Sequence, residues 1–160
     1  MDILSKEKEA YKARLKQAED KWGLIADFFE EFRKEVGEER ALEIAERALL
    51  AYQERLIEDY LEGLEGKERF EAWIRRLQRN AETNPFLEVV EVSPNKVSIK
   101  ITRCFAEEVL RKRGLVKLCQ KYCDSDFEVT RVIHPKVKLI REHTLAKGDD
   151  YCDHCWIWEE

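Results

Sequence analysis

No run of apolar residues in this chain approaches the roughly 20 needed to cross a bilayer. The opening Met1-Asp2-Ile3-Leu4-Ser5-Lys6-Glu7 lacks the apolar heart of a signal peptide, so a cytosolic protein without a membrane partner is expected. There is no basic stripe either: the excess of acid, net −5 at neutral pH, lies in residues 1–84, and residues 85–160 are balanced. Nucleic-acid binding driven by phosphate contacts needs clustered Lys and Arg, and is set aside. The chain has no P-loop, no Gly-x-Gly-x-x-Gly and no His-Glu-x-x-His, which removes the common phosphate, dinucleotide and zinc-protease motifs. A disulfide framework is also not expected. The five cysteines are odd in number and, in a reducing compartment, read as free thiols or metal ligands.

What is present suffices for one ordinary core. Of 160 residues 44% are hydrophobic and 39% charged, giving a folding chain with a heavily solvated surface. Apolar positions Tyr11, Leu15, Ala18, Trp22, Ile25, Phe29, Phe32 and Val36 advance by threes and fours, the seam of a long amphipathic helix that Gly37 should stop. Ala45, Leu49, Tyr52 and Leu56 predict a second helix ending near Gly63 and Gly66, and Phe70, Trp73, Leu77 and Ala81 a third that Asn84-Pro85 closes. Residues 1–84 are thus a helical region. Its broad apolar stripes should pack on the domain's own sheet, with a homodimer through these helices as the alternative.

At Pro85 the character changes, and residues 85–160 read as an α+β region of the same compact domain. Leu87–Val92 and Val97–Thr102 are β-branched runs joined by Ser93-Pro94-Asn95-Lys96, a hairpin with a four-residue turn. Phe105–Arg113 and a single helix from Leu115 to about Val132 follow, then a β pair over Val137–Thr144 and Tyr151–Trp158. The expected fold is α+β, with the N-terminal helices packed on a four-stranded antiparallel sheet in ββααββ order.

Chemistry concentrates on thiols. Cys104 lies where a strand gives way to a helix, where free amides and the positive dipole end favour a thiolate, although a buried inert thiol is equally allowed. Cys119, Cys123 and Asp126 share one side of a helix with Tyr122 beside them. Cys119 reads as a small core residue, whereas Cys123 beside an acid is what nucleophilic attack with proton transfer needs. Cys152-Asp153-His154-Cys155 resembles half a zinc knuckle. In a strand, however, residues 152 and 155 face opposite ways, and Cys152 would share a face with His154, Trp156 and Trp158. If Cys104, Cys123 and Cys152 converge they supply three ligands of a zinc site, with Asp126, His143 or His154 as the fourth. No cofactor is otherwise required. The tryptophans read as packing.

Three stretches taken together carry a resemblance: Thr102-Arg103-Cys104, Cys123-Asp124-Ser125-Asp126, and Arg141-Glu142-His143-Thr144-Leu145-Ala146-Lys147-Gly148-Asp149-Asp150-Tyr151-Cys152-Asp153 running on to Trp156. Over residues 85–160 the chain resembles the L-2-amino-thiazoline-4-carboxylic acid hydrolase family, whose members share Thr-Arg-Cys, Cys-x-x-Asp and a closing Arg-x-x-Thr-Leu-x-x-Gly-Asp-x-x-Cys-Asp-x-x-Trp. It is more distantly similar to 4-vinyl reductase-type ligand-binding domains, some of which bind zinc. Where those relatives place a Cys, this chain has Thr144. The resemblance implies a hydrolase that opens a small cyclic amidine at a carbon–nitrogen bond, with Cys104, Cys123, Asp126 and Cys152 at the family's positions. Cys123 is the first choice of nucleophile and Cys104 the second, with Asp126, its carboxyl pKa raised in an apolar pocket, as proton donor. Arg103 or Arg141 would hold a substrate carboxylate, with His143 and Tyr122 as further substrate contacts. The alternative implied by the distant relatives is a non-catalytic module that binds a small ligand or a metal.

Overall fold

The computed structural model describes residues 3–160, and side chains from Glu7 onward. Helix α1 (Ile3–Val36) is one unbroken rod. It stops at Gly37, whose φ of 82° lies in the left-handed region where a Cβ is strained. Helices α2 (Glu38–Tyr60) and α3 (Lys67–Thr83) follow, then strands β1 (Leu87–Ser93) and β2 (Lys96–Ile101). These two pair antiparallel, with Ser93 opposite Lys96 closing the hairpin and a bulge between Val89 and Glu91. Helices α4 (Phe105–Lys112), α5 (Val116–Asp124) and α6 (Asp126–Ile133) lead to β3 (Val137–Ile140), a 3-10 turn at Leu145–Lys147 and β4 (Cys152–Trp158). The sheet runs β1-β2-β4-β3, and every neighbouring pair is antiparallel.

The expected single helix from Leu115 is broken, so the second half runs ββαααββ. At the break, Ser125 is buried, its hydroxyl donates to the Tyr122 carbonyl at 2.6 Å, and its oxygen also meets the Gln53 side-chain amide. One residue earlier the Cys123 carbonyl accepts from Arg141 Nη1 at 2.7 Å. Carbonyls that a continuous helix would use are taken by side chains, and the axis turns there. The last β pair is also shorter than expected. Beyond Ile140 the amides of Glu142 and His143 donate to Asp153 Oδ1, at 3.0 and 2.6 Å, so a side chain replaces the ladder.

Two buried clusters hold the fold. A helical core joins Trp22, Ala26 and Phe29 of α1 with Leu49 of α2, Leu110 of α4, and Leu118 and Cys119 of α5. A sheet core joins Ile57, Phe70, Leu77 and Ile133 with Val97, Ile99, Leu139 and Trp156. All three N-terminal helices were expected on the sheet, yet α1 packs on α2 and α4 and contributes nothing to the sheet core. Width explains this. Four strands at ~4.8 Å spacing make a face about two helix diameters across, and α3 and α6 occupy it. The far end of the α1 seam is exposed: Phe32 and Val36 stand in solvent beside Leu24 and Phe28. On β4 the alternation falls as the period of two requires, with Cys152, His154 and Trp156 buried on the helix-covered face and Asp153 and Cys155 on the other.

Candidate functional site

Cys104 is the residue before α4, held in extended backbone (φ −115°, ψ 108°) by the strand that precedes it. Its sulfur makes no cap hydrogen bond of ordinary geometry, yet three groups act on it. Contact with the Cys119 thiol holds Cys104 below the usual thiol range, the amides of Glu107 and Ala106 pull the same way, and burial opposes them. Cys119 behaves conversely. Its contacts with Cys104 and Cys123, the latter at 4.0 Å between sulfurs, and its burial push it well above the ordinary thiol range. Of the two thiols, Cys104 is therefore the easier to ionise and Cys119 the harder.

Cys152 stands apart from this trio, close enough to feel the charge of Cys104 and Cys123. Burial raises it, against the amide of Leu145, 3.3 Å from the sulfur, and the Thr144 hydroxyl at 3.7 Å. Thr144 caps the 3-10 turn by accepting from the Ala146 amide. Asp149 Oδ2 accepts from the Thr144 amide at 2.7 Å, and Gly148 at φ 99° makes the turn.

Asp126 begins α6. Its Oδ2 lies 3.2 Å from Arg141 Nη1 and 3.2 Å from His154 Nε2, so the apolar pocket expected around it is instead a charged cluster. His154 is buried, stacks on Trp156, and leaves Nδ1 without a hydrogen-bond partner. The Arg141 side chain is only 3% exposed and engages Asp124 Oδ1 at 2.8 Å, the Cys123 carbonyl and Asp126. That guanidinium fixes the α5–α6 junction rather than standing open to a substrate. Arg103 is half exposed, pairs with Glu108 and lies over Tyr11 and Phe86. His143 is partly exposed beside Tyr151 and 4.0 Å from Asp149. Tyr122 is the hinge of the site: Trp22 packs against its ring, and burial and then the charge of Asp126 push its hydroxyl up, keeping it a proton-bearing donor.

The structure thus brings Cys104, Cys119 and Cys123 together, with Cys152 near and Tyr122 and Asp126 alongside, while Arg103 and His143 stand at the rim. The ligand atoms of Cys104, Cys123, Cys152 and His154 do not gather as a metal set. Cys119 takes the contacts of the first two, Thr144 and Leu145 hold the third, and Asp126 holds the imidazole. Among the described residues, the group within metal-binding reach is Glu142, His143 and Asp153. Sequence reasoning assigned Cys119 to packing, and no local signal separates that role from a thiol contact across two helices. It also passed over Arg76 and Trp73 of α3. Both line a cavity of about 210 Å³ with Tyr122 and Asp126.

An antiparallel sheet covered on one face by helices, with thiols and a small cavity at the helix junction, defines an α+β fold class. The same fold occurs in the phenol-responsive sensory domain of the transcription activator PoxR, with a TM-score of 0.53 and 14% identity over 85% of this chain and 73% of that one. A trafficking protein particle complex subunit 3 from Naegleria fowleri, covalently bound to palmitic acid, aligns with a TM-score of 0.49 and 13% identity over 89% and 97% of the two chains. A search of the curated proteins finds no match. The chain belongs to the L-2-amino-thiazoline-4-carboxylic acid hydrolase family, whose family model matches residues 17–156 and so takes in most of the N-terminal helices as well as the cysteine-bearing half.

Proposed function

We propose that this protein hydrolyses a small cyclic amidine of the 2-amino-thiazoline-4-carboxylate kind, with Cys104 as nucleophile. One observation carries the reading: at the start of α4 the half-buried Cys104, its thiol held below the ordinary range, is in contact with Cys119, whose thiol is pushed above it, and Asp126 pairs with His154 next to Tyr122. Cys104 is preferred here to Cys123, the first choice from sequence, because the Glu107 and Ala106 amides act on its sulfur. The Cys104 thiolate adds to the amidine carbon. The ring carbon–nitrogen bond then breaks, and the nitrogen takes a proton relayed from the Asp126–His154 pair. Water adds to the resulting thio-enzyme adduct, the Cys104 thiolate leaves, and the product carries a carbamoyl group on the former ring sulfur. Cys152 sits at the family position behind this centre and shapes it.

The second reading, a non-catalytic ligand-binding module, draws support from the fold shared with the PoxR sensory domain. Turnover of 2-amino-thiazoline-4-carboxylate separates the two. Wild type should open the ring, Cys104→Ser should lose at least ~10³-fold in kcat/KM, and Cys123→Ser should retain most activity. Absence of turnover by wild type moves the binding module ahead. The homodimer expected from the N-terminal helices belongs to the same proposal, supported by exposed Leu24, Phe28 and Phe32 on α1; light scattering should give twice the monomer mass, and a monomer would remove it.

A further inference from the structure

The cavity at the foot of α3 is bordered by two donors without partners. Arg76 Nη1 and Trp73 Nε1 are both buried, and neither makes a hydrogen bond. The Arg76 guanidinium lies over the rings of Tyr60 (4.8 Å) and Trp73 (5.4 Å), and no carboxylate of the described residues pairs with it. On the opposite wall the hydrogen bonds run through one carboxylate oxygen of Asp126, Oδ2, and through Thr130. Asp126 is held by Arg141 and His154, while Thr130 Oγ1 donates to the Asp126 carbonyl at 2.7 Å and accepts from Trp156 Nε1 at 3.1 Å. A half-buried cation without a counter-ion, beside a buried N–H without a partner, is best completed by something acceptor-only and negative.

We infer that this cavity binds the carboxylate of a small organic acid, with Arg76 and Trp73 as the donors. Size and charge select that class. About 210 Å³ suits a molecule of one ring, since cavities for drug-sized ligands begin at about 300 Å³. Two donor groups satisfy the two oxygens of a carboxylate, whereas a phosphate would leave a further charged oxygen against Ile57, Val129 and Ile133. Burial lowers the guanidinium's hold on its proton, as expected for a charge lacking its partner. A carboxylate seated here places the remainder of the ligand toward Tyr122 and Asp126. Assigning that ligand as the substrate rests on the hydrolase reading; the anion site itself does not.

The test is calorimetric titration of the full chain with 2-amino-thiazoline-4-carboxylate and with 2-amino-thiazoline, which lacks the carboxylate, while turnover is measured separately. Wild type should bind the carboxylate form at least about tenfold more tightly, the scale of one charge-assisted contact. Arg76→Met should abolish that preference and bind the parent ring as wild type does, Arg76→Lys should keep part of it, and Trp73→Phe should weaken it severalfold. Wild type that binds the two equally, or binds neither, overturns the site. So does a preference that survives in Arg76→Met. Should Arg76→Met fail to fold, Arg76→Lys and Trp73→Phe decide, because unchanged preference in both overturns it as well. Carboxylate preference without turnover keeps the anion site and ends the hydrolase reading; turnover with a KM indifferent to Arg76 does the reverse.

Discussion

In the helical core the polar atoms are sulfurs that face one another; in the sheet core they are oxygens and nitrogens tied into a network. Cys119 is fully buried among Trp22, Leu110 and Leu118, and its partners are the sulfurs of Cys104 and Cys123. Across the Tyr122 hinge, Trp156 donates to Thr130, Thr130 donates to the Asp126 carbonyl, and the Asp126 carboxylate holds His154 and Arg141. Sulfur is a weak hydrogen-bonding group, so a thiol lost from the first region leaves little unsatisfied. The second region is high in stakes, because an amide, indole or guanidinium robbed of its partner bears the full desolvation penalty. Reactivity and rigidity are thereby kept on opposite sides of one tyrosine.

Breaking the rigid side should cost most. Phe70 is fully buried in the sheet core, and Phe70→Ala should lower unfolding free energy by about 4 kcal/mol, read from urea denaturation. Arg141→Met strands two carboxylates and a carbonyl, and should cost about 3 kcal/mol, less than a fully buried pair because Asp124 is partly solvated. Thr130→Val keeps the shape and leaves the Trp156 indole N–H unpaired, for about 1–2 kcal/mol.

The reactive side should behave in the opposite way, with Cys119→Ala shifting stability by only ~1 kcal/mol while moving the chemistry of Cys104. A thiol held below its ordinary range is charged at lower pH, so iodoacetamide should label Cys104 in wild type below about pH 8.5, the usual thiol midpoint. Loss of the Cys119 contact should move that labelling curve to higher pH. In folding the two thiols oppose each other. The lowered Cys104 contributes stability present above the unfolded thiol pKa and lost as pH falls through its folded value, whereas the raised Cys119 costs stability as pH rises above the unfolded value. Cys119→Ala should remove that second effect. An unshifted curve would make the sulfur contact merely packing.

The fold was legible where local chemistry decided it. Gly37 ended α1, Ser93-Pro94-Asn95-Lys96 set the first hairpin, and the period of two sent Cys152 and Cys155 to opposite faces. What sequence missed depends on partners far along the chain. The break at Ser125 needs Gln53 and Arg141, and the early end of β3 needs the Asp153 carboxylate. The site divides the same way. Cys104 at a helix start was visible as a pattern, but nothing in Arg75-Arg76 distinguishes a solvated arginine from one that lines a cavity without an ion-pair partner, and the Cys104–Cys119 contact spans two helices that only packing aligns.

The central claim is that Cys104 forms the covalent intermediate, and acid-quenched mass spectrometry during turnover of 2-amino-thiazoline-4-carboxylate tests it most directly. Wild type should gain the mass of one substrate molecule, mapped to the peptide containing Cys104, and Cys104→Ser should gain none. An adduct on Cys123 or Cys152, or steady turnover with no adduct while Cys104→Ser remains active, would contradict the account.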